Sequence, residues 1–343
     1  MAHLLVTGAA GYIGSHTLRA LLRAGHTAVV VDDLRTGRRD FVEGAPLLRR
    51  SIGDREAMAR VFATHGPFDG VLHFAASALV GESVAHPLRY YENNVVGRQV
   101  LIDTAVHHGV RAFVLSSTAA VYGHPEFQPI PESSPLAPIN PYGASKAMVE
   151  RMLADVEESH GMRWAALRYF NACGAEPEEG LGECHDPETH LIPLALEAVA
   201  GLRPELQVHG TDYATRDGTC IRDYVHVTDL GEAHNLAIES LLQDGPGGAY
   251  NLGTGEGRSV REVLNTVAEV VNLTVPFREG PRREGDPPEL VADASRFRRD
   301  FGWEPARSDL PTIIRSAWNW LQQDRARELE NVRDLDAEAL ITR

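Results

Sequence analysis

The sequence contains little cysteine, and the spacing of its cysteines excludes two kinds of site. Its 343 residues include three cysteines, Cys173, Cys184 and Cys220, and none of them belongs to a CxxC motif. A disulfide framework and a structural zinc site are therefore not expected. The adjacent Cys184 and His185 do not alter this interpretation, and we predict that the protein holds no metal ion.

Long hydrophobic runs and an excess of basic residues are also missing. No stretch of about eighteen uncharged apolar residues occurs, so no segment is expected to span a membrane. The N-terminal residues lead directly into a strand-turn-helix pattern that leaves no room for a signal peptide, and we expect a cytoplasmic protein. The formal net charge of −15 argues against nucleic acid and anionic membranes as partners, although not against a small phosphorylated ligand.

The first half of the chain alternates short apolar runs with helical patterns. The runs are apolar throughout, which is typical of strands buried on both faces of a parallel sheet, and they span residues 3–7, 28–31, 70–74, 112–116 and 164–168. Residues 13–22 and 95–106, between these runs, have the apolar spacing of helices. This alternation predicts an α/β fold with a Rossmann-type, doubly wound parallel sheet.

The second half of the chain has a less regular pattern. Residues 171–189 are rich in Gly, Pro and Glu and predict a loop, and helical patterns return at 191–199, 229–242 and 259–270. We predict a nucleotide-binding Rossmann domain over residues 1–170 that also carries the catalytic residues. A smaller α/β substrate-binding lobe is expected over 171–325, with some of its elements returning to the sheet, and a charged tail over 326–343.

The first apolar run ends in a glycine-rich turn that opens a helix. Gly8, Gly11 and Gly14 follow a GxxGxxG spacing. In a dinucleotide site, such glycines form the tight turn, let the backbone approach the pyrophosphate and allow the helix to pack against the strand. The helix N-terminus then offers N–H groups to the phosphates. We therefore predict that this unit binds a nucleotide.

Carboxylates follow the next two strand-like runs. Asp32 and Asp33 end the second run, and Asp32 lies eighteen residues after Gly14. A carboxylate at this position accepts hydrogen bonds from ribose hydroxyls and repels the 2′-phosphate of NADP, so we predict NAD as the cofactor. Asp54, after a further run, suits either a hydrogen bond to the adenine amino group or the N-cap of a helix.

Tyr142 and Lys146 form a YxxxK motif at the start of a helix. The four-residue spacing places both side chains on one helical face. The Lys146 ammonium and a positive nicotinamide ring both favour the phenolate that a general base requires. The preceding strand ends in three hydroxyl side chains, Ser116, Ser117 and Thr118, at the end where ligands bind in open α/β sheets. Ser117 or Thr118 is therefore expected to hydrogen-bond the substrate hydroxyl that is oxidised.

These motifs resemble the extended short-chain dehydrogenase/reductase superfamily. Over almost the whole chain, the sequence is similar to the UDP-glucose 4-epimerase (UDP-galactose 4-epimerase) family within it. The matching stretches are VTGAAGYIGSH, HFAASALVGESV, PLRYYENNVVG, SSTAAVYG, NPYGASKAMVE, LRYFNACGA, DGTCIRDYVHVTDL and RREGDPPELVAD. The last four extend beyond the general dehydrogenase signature and point to enzymes that act on nucleotide sugars.

The resemblance implies roles for individual residues. Tyr142, Lys146 and Thr118 match the catalytic set. The residues that the resemblance assigns to the NAD site, together with Tyr142 and Lys146, are Gly8, Gly11, Tyr12, Ile13, Gly14, Asp32, Asp33, Asp54, Phe74, Ala75, Ala76, Asn93, Ser116 and Tyr169. The residues assigned to the UDP-sugar are Thr118, Phe170, Asn171, His190, Leu191, Arg222, Arg283, Asp286 and Leu290.

Within the substrate set, the resemblance distinguishes several parts of the UDP-sugar. Arg222 and Arg283 match arginines that clamp the diphosphate, which suits the bidentate geometry of guanidinium on phosphate. Asp286 matches an acceptor for the uridine ribose, and Leu290 occupies the position that governs the size of the sugar C2 pocket. Two positions depart from the family pattern: Ala78 replaces a polar or basic residue, and His190 replaces an asparagine.

The resemblance implies inversion at C4 of a UDP-hexose. In this mechanism Tyr142 takes the proton of the sugar O4, NAD accepts the C4 hydride, and the 4-keto sugar turns about its diphosphate link before the hydride returns. Epimerisation of another UDP-sugar, N-acetylated, pentose or uronic acid, is an open alternative. A 4,6-dehydratase is less favoured, because Ala119 and Ala120 stand where that chemistry uses an Asp-Glu pair.

Two further expectations concern the protein as a whole. A non-catalytic NAD-binding redox sensor would share the glycine-rich turn, but it would need neither the catalytic set nor the two arginines. The helices that contain residues 95–106 and 142–158 are expected to pair across a two-fold axis in a homodimer, as the family commonly does.

Overall fold

The computed structural model describes residues 1–283 and 285–341, with side chains described as far as residue 327. Its strands, in chain order, are β1 (His3–Thr7), β2 (Thr27–Asp32), β3 (Leu47–Arg49), β4 (Gly70–His73), β5 (Ala112–Thr118), β6 (Arg163–Tyr169), β7 (Asn171–Cys173), β8 (Leu206–His209), β9 (Ile221–His226), β10 (Gly248–Leu252), β11 (Gly257–Ser259), β12 (Phe277–Gly280) and β13 (Glu289–Leu290).

The helices lie between and after these strands. They are α1 (Tyr12–Arg23), α2 (Arg55–His65), α3 (Val80–Ala85), α4 (Pro87–Tyr91), α5 (Gly97–His107), α6 (Pro141–His160), α7 (Leu191–Val199), α8 (Val227–Leu242), α9 (Val260–Val271), α10 (Ser295–Phe301) and α11 (Leu310–Ile341). A π-helix, Glu92–Val96, joins α4 to α5. None of the described helices combines the length and the apolar content needed to cross a bilayer.

The main sheet contains seven of the described strands in the order β10-β6-β5-β4-β1-β2-β3, and all its pairings are parallel. Helices cover both faces. In β1, Leu4 packs in one apolar core with Leu18 of α1, whereas its neighbour Leu5 packs in another with Met58 of α2 and Leu101 of α5. Burial on both faces explains the uninterrupted apolar runs. The predicted doubly wound fold is confirmed.

The second half of the chain forms smaller sheets around its own apolar core. Strand β9 pairs with β11, β13 and β7, and β8 pairs with β12. Strand β10 instead lies beside β6 in the main sheet. The domain boundaries at 170 and 325 stay a prediction. Of the predicted tail, 326–343, residues up to Ile341 continue α11, and residues 342–343 lie outside the described residues.

One sequence-based expectation in this half is wrong. Residues 171–189 do not form only a loop, because residues Asn171–Cys173 form β7, which runs parallel to β9 in the register Asn171↔Tyr224. Pro177–Glu179 also form a turn of 3₁₀-helix. A three-residue strand is too short to show a periodicity, and its partner lies about fifty residues further along the chain, so local sequence carries no signal for it.

Candidate functional site

A cleft of about 1150 Å³ lies at the carboxyl ends of the parallel strands, where the second half of the chain faces the main sheet. The predicted site residues that line it are Gly8, Gly11, Tyr12, Ile13, Gly14, Asp32, Asp33, Phe74, Ala75, Ala76, Asn93, Ser116, Thr118, Tyr142, Lys146, Tyr169, Phe170, Asn171, His190, Leu191, Arg222, Arg283 and Asp286. Ala78 and Ala120 line it too. Residues predicted from separate motifs therefore surround one space.

Two predicted site residues, Asp54 and Leu290, are not part of this lining. Asp54 is the N-cap of α2, and its side chain accepts a hydrogen bond from the Ala57 N–H at 2.9 Å. Leu290 lies in β13 and packs against an apolar cluster that includes Phe170. The structure therefore shows the capping role of Asp54, and the adenine contact and the C2-pocket role stay predictions.

The glycine-rich turn leaves space for a ligand at one glycine in particular. Gly8 has a φ of +79°, and a Cβ there would lie 2.3 Å from the Ala75 nitrogen. A Cβ on Gly14 would lie 2.3 Å from the Gly8 oxygen. At Gly11 the added atom would instead meet only the Gly8 oxygen, at an ordinary 3.4 Å. Protein packing thus requires glycine at 8 and 14, whereas the open surface over Gly11 fits the close approach of a pyrophosphate.

Helix α1 begins at this open surface with unsatisfied donors. Its N-cap is Gly11, no side chain caps it, and its first turn contains no acidic residue. The N–H groups and the positive end of the helix dipole therefore remain available to an anion. The hydroxyl of Tyr12 is buried and donates to the Gly174 carbonyl at 2.6 Å. This residue therefore offers its backbone N–H to an anion, and not its side chain. The turn fits the diphosphate of a dinucleotide.

The carboxylate at the end of β2 is fixed by backbone groups. Asp32 accepts hydrogen bonds from the Ala10 N–H at 3.0 Å and from the Leu34 N–H at 2.8 Å. Burial raises its pKa above the ordinary value, against these two hydrogen bonds. Asp33 beside it is exposed and accepts from the Arg35 N–H at 3.0 Å. Asp32 thus stands where a ribose hydroxyl of a bound dinucleotide would donate.

The YxxxK pair lies in the wall of the cleft, on the first turns of α6. Asn140 caps this helix, and Pro141 occupies its first turn. The Lys146 Nζ donates to the Ser116 carbonyl of β5 at 2.5 Å and lies 5.8 Å from the centre of the Tyr142 ring. Helix α6 and strand β5 together therefore hold the ammonium beside the phenol.

Burial shifts the pKa of both members of this pair towards the neutral form. Burial raises the pKa of Tyr142 above its ordinary value, although the Thr118 hydroxyl and the Arg98 guanidinium act in the opposite direction. Burial, assisted by Arg98, lowers the pKa of Lys146 well below its usual value, and Glu150 only partly opposes this. A positive nicotinamide ring bound beside Tyr142 would add to the groups that favour its phenolate form.

Two sets of buried, hydrogen-bonded side chains lie behind this wall. Tyr169 of β6 and Ser116 of β5 share a short hydrogen bond. Glu150, on α6, accepts from Ser117 at 2.5 Å and pairs with Arg168 of β6 at 2.5–3.1 Å. Both members of the Glu150–Arg168 pair have side chains only 5% exposed. The charge of Glu150 is therefore balanced by Arg168.

The opposite wall carries charged side chains from the second half of the chain. Arg222 of β9 donates to Asp286 at 2.5 Å and to the Pro287 carbonyl at 2.8 Å. Two residues predicted to contact different parts of the substrate thus contact each other. Arg283 is exposed at the same wall. Asn171 donates to the Asp223 carbonyl at 2.8 Å, which joins β7 to β9.

Glu183, His185, Glu188 and His190 form a cluster at the N-terminus of α7. The Nδ1 atoms of His185 and His190 lie 3.0 and 2.5 Å from the Glu183 carboxylate, and both lie within 3.8 Å of Glu188. Although burial opposes it, these contacts raise the pKa of His185 to about 9 and that of His190 to about 10. The raised pKa values follow from the pairing of the two imidazole rings with the two carboxylates.

Comparison with known proteins agrees with this geometry. The family model described as "NAD dependent epimerase/dehydratase family" matches residues 4–253. The UDP-glucose 4-epimerase of Azospirillum brasilense is 50% identical over 318 residues, which cover 92% of this chain and 91% of the relative. The chain belongs to the NAD dependent epimerase/dehydratase family. The resemblance predicted from the sequence is therefore confirmed, and so is NAD as the cofactor of the family.

Solved structures of the family have the same fold. The crystal structure of UDP-glucose 4-epimerase from Brucella ovis in complex with NAD has a TM-score of 0.90 and 46% identity, covering 93% of this chain and 98% of that chain. The UDP-glucose 4-epimerase from Stenotrophomonas maltophila, with bound NAD and formylated UDP-arabinopyranose, has a TM-score of 0.92 and 39% identity, covering 96% and 100%.

The sequence analysis missed several residues at or behind the cleft. Arg35 lines the cleft and donates to the Ser77 hydroxyl at 3.1 Å. Its position three residues after Asp32 is the only signal that could have drawn attention to it. Asn94 and Arg98 are both fully buried beside the site. A single arginine in an amphipathic helix normally indicates a solvated face, so no pattern along the chain indicates that Arg98 is buried.

Proposed function

We propose that this chain interconverts UDP-glucose and UDP-galactose by inverting C4 of the hexose. The observation that carries the proposal is the position of Tyr142, Lys146 and Thr118 on one wall of the cleft whose other wall holds Arg222 and Arg283. All three proteins compared above are named UDP-glucose 4-epimerase. The arrangement supports a reaction in which the diphosphate is anchored and the sugar is exposed to an acid–base pair.

Each wall has a distinct part in this reaction. Bound NAD supplies the reversible two-electron oxidation of the C4 carbinol. Tyr142 accepts the proton of the sugar O4 and returns it after the sugar has turned. Thr118 hydrogen-bonds the same hydroxyl, and Arg222 and Arg283 hold the diphosphate while the sugar rotates. The turn at Gly11 and α1 holds the diphosphate of NAD throughout the cycle.

The lining of the cleft disfavours a dehydratase. That reaction needs a further acid and base to eliminate water, and the positions after Thr118 are Ala119 and Ala120, of which Ala120 lines the cleft. Methyl groups neither donate nor accept protons. The following experiment also tests other UDP-sugars as substrates.

The proposal is tested with purified protein and no added cofactor. UDP-glucose, UDP-galactose, UDP-N-acetylhexosamines and UDP-arabinopyranose are incubated separately, and the products are resolved by chromatography. We expect the two UDP-hexoses to interconvert, with NAD released on denaturation. Conversion of only N-acetylated or pentose sugars would replace the proposed substrate, and formation of a 4-keto-6-deoxy product would favour the dehydratase.

We also propose that the protein acts as a cytoplasmic homodimer. The three cysteines are free, which is consistent with a reducing compartment. Leu88, Val96 and Met148 are large apolar side chains with exposed fractions of 80%, 53% and 47% on α4, the π-helix and α6. Their clustering on neighbouring helices supports a partner surface.

This surface is tested by light scattering after size exclusion. We expect Met148→Glu to shift the dimer towards a monomer, since the glutamate would be buried in the interface. Leu202→Glu, at an equally exposed apolar position outside this surface, is the control. An unchanged mass for Met148→Glu, or a monomeric wild type, would contradict the proposal.

A further inference from the structure

Arg98 is a fully buried arginine that has no carboxylate partner. It lies in the first turn of α5, its exposed fraction is 0%, and none of the ion pairs among the described side chains involves it. Its Nη2 is buried and has no hydrogen-bond partner among the described atoms. A buried guanidinium without a counter-ion is costly, so its position requires an explanation.

The two hydrogen bonds that Arg98 does make fix it without neutralising it. Its Nη1 donates to the Asn94 carbonyl at 2.7 Å, and its Nε donates to His73 Nε2 at 2.6 Å. His73 must therefore carry its proton on Nδ1, which donates to the Thr7 hydroxyl at 2.6 Å. Burial, with the charges of Arg98 and Lys146, lowers the pKa of His73 well below its usual value, so this partner is neutral.

The charged and titratable groups around Arg98 come from three elements. His73 of β4 is neutral, Tyr169 is on β6, and Tyr142 and Lys146 are on α6. Asn94 joins Arg98 to α6, because its carbonyl accepts from Arg98 and its side-chain amide donates at 3.2 Å to the Ser145 hydroxyl, in the helical turn between Tyr142 and Lys146. The next carboxylate along α6 is Glu150, whose charge Arg168 balances. Of the two phenols, Tyr142 is the one that becomes an anion in the proposed reaction.

Arg98 keeps its charge at neutral pH. Burial lowers the pKa of Arg98 only to about 10, whereas that of Lys146 falls well below its usual value. At neutral pH the guanidinium is therefore a fixed positive charge behind the wall that contains Tyr142. A fixed cation favours the charged form of a neighbouring acid.

We propose that Arg98 is a positioning residue, whose buried charge stabilises the phenolate form of Tyr142 during the reaction. The proposal rests on the proposed function, because it concerns the base of that reaction. Arg98 does not line the cleft, so it acts through Tyr142 and not on the substrate. The stabilisation of the Tyr142 phenolate by Arg98 adds to that provided by Lys146 and by the cofactor when it is bound.

The test compares a neutral and a charged replacement. Arg98→Gln retains an N–H donor for His73 but removes the charge, and Arg98→Lys retains the charge. We expect Arg98→Gln to move the acid limb of the kcat/KM profile for UDP-galactose upwards by about one pH unit. Arg98→Lys is expected to stay near the wild-type profile.

A second measurement does not depend on turnover. The ultraviolet absorbance of tyrosinate is titrated in the wild type and in Arg98→Gln, with Tyr142→Phe in each background as the blank. The transition assigned to Tyr142 should move upwards in Arg98→Gln. Thermal unfolding and NAD content identify a variant that fails to fold, in which case Arg98→Met is used instead.

The outcomes separate this inference from the proposed function. The inference would be overturned if Arg98→Gln lost rate equally at every pH while the acid limb of the kcat/KM profile and the tyrosinate transition both stayed in place. It would also be overturned if Arg98→Lys shifted the acid limb as far as Arg98→Gln does. If the wild type fails to interconvert UDP-hexoses, the proposed function is wrong, and the tyrosinate titration still tests whether Arg98 acts on Tyr142.

Discussion

The two walls of the cleft place their charges in different environments. On the wall formed by β5 and α6, Lys146 and Arg98 are buried, and neither has a carboxylate within an ion pair among the described residues. On the opposite wall, Arg222 and His190 are each held by carboxylates, and the His190 side chain is 55% exposed. Buried charges interact strongly because little solvent screens them, whereas paired and exposed charges largely cancel.

This difference corresponds to the division of labour that we propose. The pKa of a proton-transfer group must be matched to its task, and a large shift of that pKa requires the strong field of unpaired charges. An anchor for a diphosphate must bind and release, so its arginine can exchange a carboxylate for a phosphate. Asp286 holds Arg222 in place at 2.5 Å, and a phosphate that binds Arg222 competes with this contact. The following predictions test the contrast, from the largest expected effect to the smallest.

Removal of the phenol should have the largest effect on activity. We expect Tyr142→Phe to lower kcat by about a thousandfold or more, because the general base is lost, while UDP binding measured by calorimetry is retained. Tyr250→Phe, which removes a hydroxyl bonded to Asp300 outside the cleft, is the control. Near-normal turnover in Tyr142→Phe would show that another group takes the proton.

Loss of the buried carboxylate behind the same wall should chiefly affect stability. Glu150→Gln leaves Arg168 buried without a counter-charge, and we expect the free energy of unfolding to fall by about 3 kcal/mol in denaturant titration. Glu157→Gln, on the same helix, breaks a more exposed pair with Arg163 and should cost under about 1 kcal/mol. Equal losses in both variants would remove the contrast between buried and exposed pairs.

On the opposite wall, the guanidinium group of Arg222 should contribute to the binding of UDP. We expect Arg222→Lys to weaken UDP binding by roughly tenfold to a hundredfold with little change in kcat, since a lysine loses the bidentate contact. Calorimetry with UDP measures the effect. Arg216→Lys, whose partner Glu262 lies outside the cleft, should leave binding unchanged. If kcat falls and affinity does not, Arg222 acts on the chemical step.

The smallest effect is expected in the histidine cluster. The pKa of His190 is raised from an unfolded value of 6.5 to about 10, so its contribution to stability is complete below about pH 6.5 and is lost as the pH rises through 10. His190→Asn should therefore lower Tm by about 2 °C at pH 6, and the difference should vanish near pH 10. His124→Asn, at an exposed position, is the control. A difference that grows with pH would contradict the ion-pair assignment.

The sequence predicted those parts of the molecule that depend on neighbours along the chain. Strands β1 to β6 of the main sheet follow from strand-like runs in the sequence, whereas β10 was not predicted. The turn at Gly8 and Gly14 follows from glycines that local packing requires. Residues in the cleft could be assigned because each lies in a motif that is contiguous in sequence. Their roles in binding and catalysis stay predictions.

The remainder depends on contacts between distant segments. Strand β7 exists because β9, about fifty residues later, lies alongside it. The burial of Arg98 follows from the packing of α5 against β4, and the Arg222–Asp286 pair joins residues 64 positions apart. Burial also shifts the pKa values of Tyr142 and Lys146, and the motif contains no information on this desolvation.

The π-helix Glu92–Val96 bears on how this protein can change during evolution. A substitution within the π-helix leaves the rotation of α5 about its axis unchanged. A deletion changes it, because each residue of an α-helix advances the chain by about 100°. Deletion of one residue here would turn α4 and α5 relative to each other, so that Asn94 could no longer face Ser77 while Arg98 faces His73. Descendants of this chain should therefore keep the length of this segment and its Asn94, and vary at exposed positions such as Glu92.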